Sequence, residues 1–160
     1  MEQCVQRKSR AYLALAAHDL RAVPGVADFV RRAAEHCRIA VVSGAVGAEI
    51  PPGLARAGIA DCIDVVLSSD EVTTSKPDPS SYRQALRLLA TRHGADAWRA
   101  VVVEDSLPGI GAARALGAGC IALTTTHAAN ALHGADAVWR SFEGHDPAEL
   151  EPLWRPVTLA

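Results

Sequence analysis

Hydrophobic residues gather in short runs that end in small or polar residues, separated by stretches with helical spacing. Three β-rich runs come first: Ile39 to Gly44 (IAVVSG), Ile63 to Ser69 (IDVVLSS) and Ala100 to Asp105 (AVVVED). Cys120 to Thr125 (CIALTT) and Ala135 to Ser141 (ADAVWRS) follow. Between them, Val26 to His36 carries Val26, Phe29, Val30 and Ala33 on one helical face, and Tyr82 to His93 carries Ala85, Leu86, Leu88 and Leu89. Asp78-Pro79 reads as an N-cap followed by Pro at the first helical position, and His93-Gly94 as a stop. Strands that are apolar on both faces and alternate with helices predict a mostly parallel sheet covered by helices on both sides, an α/β fold.

The ends of the chain read differently. Val5, Tyr12, Leu13, Ala16 and Leu20 make an amphipathic stripe over residues 1–22, closed by Pro24-Gly25, and no strand precedes it. A core is expected over 23–145, and 146–160 reads as a tail that packs Leu153 and Trp154 onto it.

At 160 residues, 49% hydrophobic and 21% charged, the chain is the size of one compact domain with a sizeable core. A net charge of −2, with no basic run, gives no nucleic-acid surface. No segment approaches a membrane span or a signal peptide, so a cytoplasmic location is expected. Cys4, Cys37, Cys62 and Cys120 are widely separated, which argues against a zinc knuckle or a disulfide scaffold and for reduced thiols.

In an open parallel sheet, ligands bind beyond the carboxyl ends of the strands. Three polar points fall there: Ser43-Gly44 after the first run, Lys76 in TTSKPDP after the second, and Glu104-Asp105 after the third. Side chains alternate along a strand, so one of the two acids should face the fold and needs a cationic partner. Ser43 with the amides of Gly44 and Ala45 suits phosphate oxygens, Lys76 suits their charge, and Glu104 with Asp105 suits Mg²⁺. Taken singly, each has an ordinary reading: Ser43 as a helix cap, Lys76 as a solvated loop lysine, and the acids as a turn in which Asp105 or Ser106 caps the helix Leu107 to Leu116.

Together, Ser43 in VVSGA, Lys76 in SKPDPSSY and the segment VVVEDSLPGIGAARALGAG resemble the second, third and fourth motifs of the haloacid dehalogenase (HAD) superfamily, in the branch of phosphoglycolate phosphatases and β-phosphoglucomutases. The resemblance runs from about Val23 to Phe142. It implies a Rossmann-like three-layer α/β/α core and Mg²⁺-dependent phosphoryl transfer on a small phosphorylated metabolite. In it Ser43 bonds the phosphoryl group, Lys76 steadies that group and the nucleophile, and Asp105 with Glu104 holds Mg²⁺.

The family's first motif, D-x-D-G-T/S, which carries the nucleophile on a central strand, has no counterpart here. The acids before Ser43 are Glu2, Asp19, Asp28 and Glu35, and none follows an apolar strand. Weak Mg²⁺ binding and no turnover by the family mechanism are therefore expected. In the family that strand lies between the IAVVSG and AVVVED strands. Those two must pair directly or be bridged by another segment, and an unfilled sheet edge would favour self-association. The 1–22 stripe resembles the last helix of the family's α-helical cap. The chain is thus expected to be the truncated C-terminal part of an ordinary HAD phosphatase, catalytically incomplete by itself, with the activity belonging to the complete protein. The competing reading is a non-catalytic phosphate-ligand-binding or regulatory domain. A receiver-like domain is disfavoured, because its acids come on early strands and its Lys last.

Overall fold

A computed structural model describes residues 21–94 and 98–159. The 1–22 helix, apart from its last two residues, lies outside the described residues. Helix α1 (Val26–Ala34) leads to strand β1 (Ala40–Val42), helix α2 (Ile50–Ala57), strand β2 (Val65–Leu67) and helix α3 (Ser80–His93). Strand β3 (Trp98–Glu104), helix α4 (Leu107–Leu116) and strands β4 (Gly119–Leu123), β5 (Ala137–Trp139) and β6 (Arg155–Val157) complete it. Among the described residues, no helix is long and apolar enough to cross a membrane.

The predicted alternation holds, and β1 with β2, β3 with β4, and β4 with β5 pair in parallel. Period-two alternation divides the core between the two faces of the sheet. Cys120 and Ala122 of β4 pack with Leu86 and Leu89 of α3 and with Ala112 and Ala113 of α4. Ile121 and Leu123 face the other way, onto Phe29 of α1, Trp139 and Phe142. There Phe29 and Trp139 meet edge to face with centroids 5.6 Å apart. This is the three-layer arrangement.

The strands differ from the sequence reading in three ways. β1, β2 and β5 are three residues each, shorter than the apolar runs containing them. The ladder is also in two pieces, β1-β2 and β5-β4-β3-β6, because β1 and β3 do not pair. Finally, the tail is a 3₁₀ segment, Pro147–Leu153, followed by β6, which lies antiparallel on Trp98–Ala100 of β3. β6 thus covers the first half of the edge that faces β1. Leu153 and Trp154 pack against the cluster of Phe29, Trp139 and Phe142.

Helix α3 starts one residue later than read. Pro79 is its cap, while Asp78 Oδ1 accepts the Ser80 amide at 2.8 Å. Gly94 ends it at φ +69°, a left-handed conformation that glycine adopts without a Cβ penalty.

Candidate functional site

Ser43, Lys76, Glu104 and Asp105 all lie at the carboxyl ends of β1 and β3. Ser43 is fixed by its amide, which donates to Leu67 O of β2 at 2.9 Å. Its loop is tied to the next one: the Gly47 amide donates to Asp70 Oδ2 at 2.8 Å, and Ser69 Oγ to Ala45 O at 3.1 Å. The expected helix N-terminus at Ser43 is not present, since α2 begins only at Ile50 after a 3₁₀ turn over Gly47–Glu49. The Ala45 amide instead donates to Ser43 Oγ at 3.1 Å, a local turn that competes with helix formation. The Gly44 side of the loop is exposed.

Lys76 spans the gap in the ladder. Its ammonium donates to Val42 O of β1 at 3.3 Å and to Glu104 Oε1 of β3, and it lies 4.7 Å from the centroid of the Tyr82 ring. The Lys76-Pro77 peptide is cis, and Pro77 rests beside Gly111 of α4.

The two neighbouring acids have separate roles, as alternation requires. Glu104 points inward, its side chain 9% exposed. Oε1 takes Lys76 and the Tyr82 hydroxyl, the latter at 2.8 Å. Oε2 takes the amides of Asp105 and Ser106, each at 3.1 Å, and the Ser106 hydroxyl at 2.8 Å. Burial works to raise the Glu104 pKa, but Lys76, Tyr82 and Ser106 outweigh it and hold the carboxyl below its usual value. The same surroundings push the Tyr82 phenol far up, through burial and then the Glu104 charge. Ser106 also caps α4, accepting the Gly109 amide at 3.1 Å, so the capping reading of this turn is met by Ser106 rather than Asp105. Gly109 leaves room for the carboxylate: a Cβ there would sit 2.0 Å from the Glu104 carboxyl carbon.

Asp105 points outward. Its Oδ2 accepts the hydroxyls of Thr125, at 3.0 Å, and Thr126. His127 Nδ1 lies 3.1 Å from the Asp105 carbonyl oxygen; a carbonyl can only accept, so Nδ1 carries the proton. Oδ1 has no protein partner among these bonds. Tyr82, Gly109, Thr125, Thr126 and His127 were not singled out for the site from sequence. The available signal was that an inward carboxylate needs several donors, and Tyr82 is the first bulky residue of the helix after Lys76.

Among the described residues no three His, Cys, Asp or Glu side chains converge as a metal cage. With both Glu104 oxygens committed to Lys76, Tyr82 and the turn, Asp105 Oδ1 is the oxygen left for a cation. The described residues therefore do not fit a resident Mg²⁺ by themselves, which needs near-octahedral oxygen ligation.

The candidate site is thus a hydroxyl, a lysine and an acid pair at the strand ends of a mostly parallel α/β/α sandwich. Residues 2–117 match the haloacid dehalogenase-like hydrolase family, and the chain belongs to that family. It is 39% identical over 85 residues to the validoxylamine A 7'-phosphate phosphatase of Streptomyces hygroscopicus subsp. limoneus, covering 53% of this chain and 38% of that protein. It is 34% identical over 126 residues to a plasmid-borne phosphoglycolate phosphatase of Cupriavidus necator, covering 77% of this chain and 51% of that protein. The crystal structure of CbbY from Rhodobacter sphaeroides in complex with phosphate superposes with a TM-score of 0.70 at 32% identity, over 91% of this chain and 63% of that one. The chain thus spans about half or less of the length of these two curated relatives.

Proposed function

We propose that this chain forms the phosphate-gripping half of a phosphatase site for a small phosphorylated metabolite, within a protein whose hydrolysis needs Mg²⁺ and a carboxylate nucleophile that this sequence does not supply. The observation that carries the reading is the Lys76 ammonium joined to both Val42 O and Glu104, which draws the Ser43 loop and the Asp105 turn to one place. Ser43 Oγ and the exposed Gly44 amide would bond phosphate oxygens, Lys76 would neutralise part of their charge, and Asp105 would give one oxygen to a cation shell completed from elsewhere. Relatives that are phosphatases of phosphoglycolate and of validoxylamine A 7'-phosphate support the substrate class. Asp28 is no substitute nucleophile, because it lies in the first turn of α1, where Arg32 Nη1 donates to it at 3.4 Å.

The test is inorganic phosphate binding by ³¹P NMR on the purified chain, together with turnover of p-nitrophenyl phosphate in Mg²⁺. Binding that is lost in Ser43→Ala and Lys76→Met, without turnover, is the expected result. Turnover abolished by replacing Asp19 or Asp28 would overturn it, and absence of phosphate binding would remove the site assignment.

A further inference from the structure

Tyr82, buried in the first turn of α3, touches both members of the Lys76–Glu104 pair. Its hydroxyl donates to Glu104 Oε1 at 2.8 Å, and its ring centroid lies 4.7 Å from the Lys76 ammonium. A core tyrosine needs some acceptor for its hydroxyl, but this one takes the same oxygen that Lys76 uses. Burial, and then the Glu104 charge, push the phenol far up, so at neutral pH the hydroxyl stays a donor.

Lone pairs and protons limit the arrangement. A carboxylate oxygen offers two acceptor directions, and on Oε1 Lys76 and Tyr82 fill both. Oε2 is taken by three donors of the turn and has no room for the ammonium. Of the three ammonium protons, one goes to Oε1 and one to Val42 O at 3.3 Å. The third meets no oxygen of the described residues and is left beside the Tyr82 ring. Without the hydroxyl, the second direction of Oε1 opens to that third proton. The carboxylate then grips the ammonium with two bonds and draws it away from the Ser43 loop.

We propose that Tyr82 is a positioning residue of the phosphate site: by occupying one side of Glu104 Oε1, its hydroxyl keeps one ammonium proton of Lys76 available to a phosphate oxygen at the Ser43 loop. The proposal rests on the reading of Ser43 and Lys76 as phosphate ligands and adds a residue that touches no phosphate itself. Tyr82→Phe separates this role from packing, because it keeps the ring beside the ammonium and within the core cluster and removes the hydroxyl alone.

The test uses the whole chain. Lys8 and Lys76 are its two lysines, so lysine labelled with ¹⁵N at Nζ gives two ammonium signals, and that of Lys76 is assigned by its loss in Lys76→Met. In Tyr82→Phe without phosphate, exchange of the Lys76 ammonium protons with water should slow, because a second bond to Oε1 shields them. With inorganic phosphate, followed by ³¹P NMR, the dissociation constant should rise about threefold or more. A tyrosine that only supports the fold gives the opposite sign in the first measurement, since losing its bond loosens the Glu104 network and speeds exchange. Unchanged or faster exchange would overturn the proposal. So would slowed exchange with phosphate affinity equal to the parent's, which leaves the phosphate site standing and sinks the role of Tyr82 alone. A parent chain that binds no phosphate removes the site and this proposal together.

Discussion

Replacing Glu104 by Gln keeps the size of the side chain and removes its charge, in a place where the carboxylate serves five donors: Lys76 Nζ, the Tyr82 hydroxyl, the Asp105 and Ser106 amides and the Ser106 hydroxyl. An amide has a single acceptor oxygen. If that oxygen faces the turn, the NH₂ group faces the Lys76 ammonium; if it faces Lys76, the NH₂ group faces two amides and a hydroxyl. Breaking a buried pair by removing one charge costs about 3–5 kcal/mol, and because Lys76 is 19% exposed the lower end applies, about 3 kcal/mol. For a chain of this size that lowers the melting temperature by about 6–12 °C. The pH dependence gives an independent check. The folded Glu104 pKa lies below its ordinary 4.5, so its contribution is complete above about pH 4.5 and fades as pH falls through the folded value. Urea unfolding from pH 7 to pH 3 should show the parent losing stability below about pH 4.5, with Glu104→Gln lacking that component and the two curves converging in acid. A deficit under about 1 kcal/mol at pH 7, the scale of an exposed pair, would refute the network as a support of the fold.

Gly109→Ala should cost about 1–3 kcal/mol and raise the Glu104 pKa, since the new methyl overlaps the carboxylate; an unchanged unfolding midpoint would contradict the packing. The Cys120 thiol is fully buried in β4 and pushed up to about 12 by burial and then by Glu104, so alkylation at pH 8 followed by peptide mass spectrometry should find it unmodified in the native chain and modified in urea. Native labelling at the unfolded rate would place it elsewhere. Asp136 Oδ2 accepts the Cys120 amide at 2.8 Å, and Oδ1 accepts Arg155 at 2.5 Å. Asp136→Ala should therefore cost about 1–3 kcal/mol and speed exchange at the β6-paired amide of Ala100; stability equal to the parent would show that neither bond matters.

The layer order and the gathering of the candidate residues at strand ends were legible because the information is local. VVVED and IAVVSG are too short and too apolar to be surface helices, and strand ends in a parallel sheet fix where the polar residues gather. Strand lengths were not legible, because a ladder residue needs a neighbour: β1 has one on a single side and stops at Val42. β6 was hidden by Pro156, which argues against a strand unless its missing N–H falls at a non-bonded position, as it does opposite Arg99. The Ser43 loop was misread in one respect. VVSGA looks like a strand running into a helix, but the Ser43 hydroxyl takes the Ala45 amide and delays the helix to Ile50. The division between Glu104 and Asp105 followed from alternation. The identity of the donors did not, since Tyr82 and Thr126 reach the acids only through tertiary packing.

In a continuous sheet, backbone bonds would hold β1 to β3. Here the hydrogen-bonded connection at their carboxyl ends is made by a side chain, with Lys76 bonded to the last carbonyl of β1 and to the last residue of β3. Lys76, which we propose meets phosphate, is therefore also a tie between the halves of the fold. If that is right, Glu104→Gln should speed amide exchange in β1 and β2 more than in β4 and β5, because the pair β1-β2 has lost its link while β4 remains enclosed between β3 and β5. Exchange that quickens equally throughout would mean that the packing of α3 alone couples the two pieces and that Lys76 is free to serve phosphate without cost to the sheet.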